Sequence, residues 1–485
     1  MKTSMDQSKR DLLYTSILPS ERQIAYQQTE FYAFIHFTVN TFTGREWGDG
    51  TEPESVFNPT ALDAEQWVKT AKDGGMRGLI LTCKHHDGFC LWPSRYTNHS
   101  VKYSPYRNGQ GDVVREVSDA CKKHGLKFGV YLSPWDRNQK TYGTGKAYND
   151  YFVAQLTELL TGYGPIFSVW FDGACGEGKN GRRQTYDWER YYRTIRSLQP
   201  EACISVCGPD IRWCGNEAGD TRPSEWSVVP RRLCKAETVE GKSQQADDPA
   251  FRQRRITSSD LDLGSRNALA GENDLIWYPA EVNTSIRPGW FFHAEENDRV
   301  KSFEELKRIY LSAVGGNAMF LLNLPPDQRG LIHPADAQTL ARLGAFIRHT
   351  FEKNLMASAR VTASQALPGY GIENALTAGY DAYYRTADGV TQAAIHAEWE
   401  QAQTLQYIVL QENIRISQRI ERLDILAADE AGIDHLICSG TTVGYKKIFE
   451  LPHSIRTRRL SILIQDARVF PTLAFIGSYA PENGN

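Results

Sequence analysis

Residues 113–136, VVREVSDACKKHGLKFGVYLSPWD, contain one whole repeat of the fold. VVREVSDACKK (113–123) has helical period and stops at His124-Gly125, the glycine stop common at helix C-termini. KFGVYL (127–132) is a short run of β-branched and aromatic residues, the signature of a strand. The strand then runs straight into the polar and aromatic residues of SPWD, which include Trp135 and Asp136.

Outward from this unit the same alternation recurs. Strands are expected at 31–37 (FYAFIHF), 78–83 (GLILTC), 127–132, 167–172 (FSVWFD), 203–207 (CISVC), 224–229 (SEWSVV), 275–280 (LIWYPA) and 318–324 (AMFLLNL). Helices are expected at 62–73, ended by Gly74-Gly75, and at 150–161, 187–198, 303–314 and 335–351. Strand and helix in alternation imply parallel strands with crossover helices, and eight such units fit an α/β fold of the closed (β/α)8 TIM-barrel type. A doubly wound open sheet is the alternative. The stretch 231–274 is polar and aperiodic, so it is read as an insertion that is either disordered or an active-site loop. Beyond the last helix, runs such as TLQYIVLQENI, RLDILAA and RRLSILI alternate with turn residues. The chain therefore divides into a barrel at 15–351 and an all-β sandwich of the jelly-roll kind at 352–480.

Composition excludes several functions. In 485 residues, 55 Lys+Arg stand against 58 Asp+Glu, a net charge of −3, so nucleic-acid binding driven by counterion release is not expected. No run of 18 uncharged apolar residues occurs, so no membrane span is expected. MKTSMDQSKRDLLYTS lacks the apolar core of a signal peptide. An exported protein would have lost its signal ahead of this sequence, so a periplasmic or secreted setting and a cytoplasmic one both fit. Nine cysteines, an odd number, do not suggest a disulfide scaffold, and Cys203-x3-Cys207 with Cys214 lacks the second pair of a zinc site. The 11 Trp, 23 Tyr and 20 Phe suit cores and also the faces of sugar rings.

Polar groups collect where strands end, and in a barrel the C-terminal strand ends share one mouth. The first strand ends at His36, the second runs into Lys84-His85-His86-Asp87, the third ends with Tyr131, Trp135 and Asp136, and the fourth ends Trp170-Phe171-Asp172. After the fifth come Arg212-Trp213 and Asn216-Glu217. His85 and His86, if both lay on a strand, would point to opposite faces. Asp172 follows an apolar strand directly, so desolvation makes its ionisation sensitive to neighbours. Two carboxyl groups facing one substrate suit glycoside cleavage, one attacking or orienting water and the other protonating the departing oxygen.

The segments FIHF (34–37), EWGDG (46–50), LTCKHHDGFCLW (81–92), GVYLSPWD (129–136), VWFDGACGEG (169–178) and LLNLPPDQRGLI (321–332) together resemble glycoside hydrolase family 29, the α-L-fucosidases. IRWCGNEAG (211–219) and IWYPAEVNTSIRPGWFF (276–292) look like the subgroup that prefers α1,3/1,4-linked fucose, as in Lewis-type glycans. The resemblance implies a retaining hydrolase acting on fucosylated oligosaccharides or glycoconjugates, with no cofactor or metal in catalysis. It implies Asp172 as nucleophile and Glu217 as general acid/base, with Glu281 as the reserve for that second role. His36, Glu46, Trp47, His85, His86, Tyr131 and Trp170 match positions around fucose, while Asp136, Glu281 and Trp290 would help hold the rest of the glycan. Retention requires the two carboxyl groups ~5–5.5 Å apart.

The C-terminal part, through AEWEQAQTLQYIVLQENIRISQRIERLDI (397–425) and TTVGYKKIFELP (441–452), resembles galactose-binding-like modules. These often bind sugar edges and sometimes a structural Ca2+; packing on the barrel as a structural companion is the simpler expectation. Two other function classes compete with the fucosidase reading: a carbohydrate-binding protein that has lost activity on the same fold, and a metal-dependent barrel hydrolase using His85, His86 and Asp87.

Overall fold

A computed structural model describes residues 6–245 and 261–482. Its N-terminal strands are β1 (Phe31–Ile35), β2 (Gly78–Lys84), β3 (Lys127–Leu132), β4 (Ser168–Phe171), β5 (Cys203–Val206), β6 (Arg212–Trp213), β7 (Val228–Pro230), β8 (Leu275–Trp277), β9 (Ala280–Ser285) and β10 (Ala318–Asn323). Eight of them form one parallel sheet in the order β5-β4-β3-β2-β1-β10-β9-β6. A parallel bridge between Ser205 and Ile211 brings β5 back towards β6 and nearly closes the sheet into a barrel.

Two of the eight strands lie elsewhere than expected. The runs 224–229 and 275–280 contribute β7 and β8, which pair antiparallel as a separate ribbon. The sixth and seventh barrel strands are instead β6 and β9. Only five residues separate β5 from β6, too few for a crossover helix, so the regular alternation is lost there.

The helices follow the local signals. Asp63, Asp112 and Asp187 cap Ala64–Asp73, Val113–His124 and Trp188–Leu198 by accepting the N–H of Gln66, Arg115 and Arg190. Gly125 stops the second of these with φ 74°, a left-handed conformation that glycine adopts without steric cost. Ser302 and Glu305 form a capping box at the head of Phe303–Ala313. Lys146–Gly162 and Pro334–Thr350 complete the outer layer.

The C-terminal part is all β. Arg360–Ala363, Ala393–Gln411, Lys447–Ala467, Ile420–Ala428, Asp434–Gly440 and Phe475–Tyr479 form an antiparallel sheet around a core that includes Leu405, Leu423, Ile425 and Ile462. Ala393–Gln411 is interrupted by bulges: its first half pairs with Arg360–Ala363 and its second with Phe475–Tyr479, while Lys447–Ala467 pairs with both halves. The join to the barrel has an apolar part, where Tyr407 and Tyr479 pack on Phe346 and Phe351, and a buried polar part, where the Tyr445 hydroxyl donates to Glu30 at 2.6 Å, Lys446 pairs with the same carboxylate and Tyr445 N donates to Asn317.

One buried ion pair braces the loop that leaves β9. Arg287 Nε donates to Asp336 Oδ2 at 2.8 Å, both side chains are wholly buried, and the guanidinium lies over Phe292. Removing one member of such a pair strands the other charge in the interior. Asp336→Ala is expected to lower the unfolding midpoint in a urea titration by the equivalent of ~3–5 kcal/mol. Breaking the exposed Lys146–Asp150 pair should leave that midpoint unchanged within error.

Candidate active site

The C-terminal ends of the barrel strands surround one open pocket, whose space together with its solvent-filled mouth is about 550 Å3. β1 supplies Phe34 and, just beyond its end, His36; the turn after β2 supplies His85 and His86; β4 supplies Trp170 and then Asp172. β6 and its following loop bring Trp213 and Glu217, β9 brings Asn283, and loops add Trp47 and Trp290.

Asp172 stands in the pocket wall. Its Oδ1 accepts the Ala174 N–H at 2.8 Å, its Oδ2 accepts the Tyr131 hydroxyl at 3.0 Å, and His86 Nε2 lies 3.8 Å from Oδ2. Burial raises its pKa above the ordinary carboxylate value, and the Ala174 and Tyr131 hydrogen bonds pull it back. Glu217 is held from another side: Trp290 Nε1 donates to its Oε2 at 3.0 Å.

The three histidines are neutral hydrogen-bonding groups. Burial lowers His36 to about 4 and His86 to about 3, and drives His85 well below its ordinary value. Their tautomers follow from their partners. Asn323 Nδ2 donates to Trp290 O and Ser285 Oγ, so its Oδ1 accepts from His36 Nδ1 at 2.8 Å. The Ser133 hydroxyl donates to Trp135 O, so it accepts from His86 Nδ1 at 2.7 Å. Both rings therefore keep an unprotonated Nε2, suited to accept hydroxyl protons. Buried His85 Nδ1 has no hydrogen-bond partner among the described residues. His85 and His86 both line the pocket, with ring centroids 4.1 Å apart, because they lie beyond the end of β2 where strict alternation no longer applies.

Aromatic rings form the rest. Trp170 stacks on Tyr131 at 5.3 Å, and Trp47 stands edge-on to His86 at 5.1 Å. Glu46 lies behind the wall as a clasp: its carboxylate accepts from Trp290 N at 2.8 Å, Phe291 N at 3.3 Å and His293 Nε2 at 2.8 Å. It approaches so closely that a Cβ on Gly289 would lie 2.3 Å from Glu46 Oε1.

With Glu46, three further expected sugar contacts, Asp136, Glu281 and Tyr131, lie outside the pocket lining. Asp136 is buried outside the pocket lining, paired with Lys84 at 2.8 Å and accepting the N–H groups of Asn138 and Gln139. It shapes the loop whose Arg137 and Asn138 side chains donate to Gly48 O and Gly50 O, beside Trp47. Glu281 is wholly buried, accepts from Trp170 Nε1 at 2.8 Å and does not line the pocket. Tyr131 is likewise buried and reaches the site through Asp172.

Asp87, unlike the two histidines, does not line the pocket. Its oxygens accept from Thr38 and Phe89 N, and burial raises its pKa to about 6. Among the described residues no three His, Cys, Asp or Glu side chains converge as metal ligands would, in the barrel or the C-terminal part. No helix among them is long and apolar enough to cross a membrane.

A family model described as Alpha-L-fucosidase matches residues 14–352. The chain belongs to the α-L-fucosidase family. Alpha-L-fucosidase 1 of Arabidopsis thaliana is 38% identical over 469 residues, covering 95% of this chain and 87% of the plant protein. A Bacteroides ovatus crystal structure superposes with a TM-score of 0.85 at 41% identity, over 100% of this chain and 78% of that one. A Ruminococcus gnavus glycoside hydrolase 29 fucosidase, solved with fucose, has a TM-score of 0.82 at 29% identity, covering 96% of this chain and 95% of that one.

In this fucosidase several pocket residues carry no sequence signal of their own. Asn283 lies two positions beyond Glu281 on the same face of β9 and donor Trp213 Nε1 reaches it at 3.1 Å. Ser243 and Gln244 follow the helix Ala236–Lys242, so part of the aperiodic insertion does form the site; residues 246–260 of that insertion lie outside the described residues. Asn323 could have been found from its place at the end of an otherwise apolar strand.

Tyr131→Phe removes a hydrogen bond that lowers the Asp172 pKa, so that pKa rises in the variant. The acid limb of kcat/KM is expected to move to higher pH, with the plateau reduced roughly tenfold. A pH–rate profile on an aryl α-L-fucoside measures both.

Proposed function

We propose that the fucosidase removes terminal α1,3/1,4-linked L-fucose from oligosaccharides or glycoconjugates of the Lewis type, with retention, through a covalent fucosyl-enzyme on Asp172. The observation that carries this reading is that Asp172 and Glu217 line one pocket, each held by an aromatic donor, among neutral imidazoles and flat rings.

The roles follow from those surroundings. Asp172, ionised and aimed by Tyr131 and Ala174, attacks the anomeric carbon as the bond to the departing oxygen breaks, and Glu217 gives that oxygen its proton. Glu217 then takes a proton from water, whose oxygen displaces Asp172 from the anomeric carbon and releases fucose. The Nε2 lone pairs of His36 and His86 accept sugar hydroxyl protons, and Trp47, Trp170 and Trp290 cover the apolar face. No cation among these groups opposes the positive charge that develops on the sugar ring. The preference for α1,3/1,4 linkages is supported by the meeting of the two subgroup-like segments, 211–219 and 276–292, in the Trp290 to Glu217 hydrogen bond. The C-terminal part is read as a structural companion, in keeping with its buried polar join to Glu30 and Asn317.

Asp172→Ala is expected to abolish turnover. Glu217→Ala should lower kcat on natural trisaccharides ~10²–10⁴-fold and recover with azide on a substrate with a good leaving group. Retained full activity of Glu217→Ala on trisaccharides would overturn its assignment. Proton NMR of the first-formed fucose anomer tests retention, and a panel of α1,2-, α1,3- and α1,4-fucosylated oligosaccharides tests linkage.

A further inference from the structure

Directly under the pocket floor lies a carboxylate that the two-carboxyl chemistry does not use. Glu281 is completely buried on β9. Trp170 Nε1 donates to its Oε1 at 2.8 Å, while the hydroxyls of Tyr32 and Tyr26 donate to its Oε2, the latter at 3.1 Å. Tyr26 is itself within 3.3 Å of the Ser168 and Ser205 hydroxyls. No lysine, arginine or histidine forms an ion pair with Glu281 among the described residues, so its partners are neutral dipoles alone.

Such a group is costly to bury, and an amide or an apolar side chain would fill the space at less cost. Burial raises the Glu281 pKa above the ordinary carboxylate value, and the three donors converging on its two oxygens pull it back towards the ionised form. The first of those donors, Trp170, lines the fucose pocket and stacks on Tyr131, which in turn donates to Asp172. The indole that faces the sugar is therefore polarised from behind: hydrogen bonding to an anion pushes electron density into its ring.

We propose that Glu281 is a positioning residue that acts through Trp170, holding the indole in place and, as a buried anion, making the pocket floor attractive to the positive charge that develops on the fucose ring. This inference rests on the glycoside-cleavage reading above. It separates two effects that a purely structural carboxylate would not separate. An anion behind the indole favours a cationic occupant over a neutral one of the same shape, because only the former gains from the charge. A residue that merely shapes the floor affects both alike.

The test compares wild type with Glu281→Gln, which keeps the size of the side chain and removes the charge. Three quantities are measured on the full chain: kcat on an aryl α-L-fucoside, the affinity for L-fucose, and the affinity for a fucose-configured iminosugar protonated at its ring nitrogen. The expected result is a fall of about tenfold in kcat and in iminosugar affinity, the size of one charge acting across a ring at protein-like dielectric, with fucose affinity within about twofold. Parallel losses for fucose and iminosugar, or no loss in either, would overturn the proposal. If Glu281→Gln does not fold, Tyr32→Phe serves instead: it withdraws one donor from the carboxylate and touches no pocket residue, and a smaller loss confined to kcat and iminosugar binding is expected. Wild type that fails to cleave the fucoside while binding both ligands counts against the hydrolase reading; wild type that cleaves it beside an unaffected Glu281→Gln counts against this inference alone.

Discussion

The site depends on one carboxylate that stands outside the pocket lining. Glu46 gathers the N–H groups of Trp290 and Phe291 and the ring of His293, and so ties the loop after β1 to the loop after β9. Trp290 then does two things at once: its indole holds Glu217, and its carbonyl fixes Asn323, which in turn fixes His36. The acid/base candidate and one of the sugar-facing imidazoles thus share a single anchor. Gly289 leaves room for it, since a Cβ there would come within 2.3 Å of Glu46 Oε1 and push the carboxylate aside.

Burial performs the electrostatic selection. Desolvation acts on the histidines and on Asp172 with opposite consequences: it neutralises the imidazoles and raises the carboxyl group. Short hydrogen bonds from Ala174 and Tyr131 counter the second effect where an anion is needed. The result is a pocket whose polar groups are acceptors for hydroxyls and whose charges are negative, matched to a neutral substrate passing through a cationic transition state.

Much of this was legible in the chain, where local chemistry decides. Aspartate caps and glycine stops placed the helices, and residues at strand ends placed His36, His85, His86, Trp170 and Asp172 around one pocket. The failures have a common cause: sequence gives position along a strand but not depth or partner. β9, AEVNTS, has too many polar residues to announce a barrel strand because its inward face climbs from the buried Glu281 to the pocket-lining Asn283. β6 is two residues long, while the apolar runs around Val228 and Trp277 spend their β propensity on each other. Asp136 and Glu281 look like site residues in the chain, and only packing reveals that one braces a loop and the other lies beneath the floor.

The missing crossover between β5 and β6 gives the barrel a seam. Asp172 stands just past β4, next to β5 on one side of that seam, and Glu217 stands in the loop after β6 on the other. Everywhere else adjacent strands are joined by ladders, but here the described join is the single Ser205–Ile211 bridge. The two carboxyl groups of the pocket are therefore carried from opposite sides of the one place where neighbouring barrel strands are not joined by a ladder.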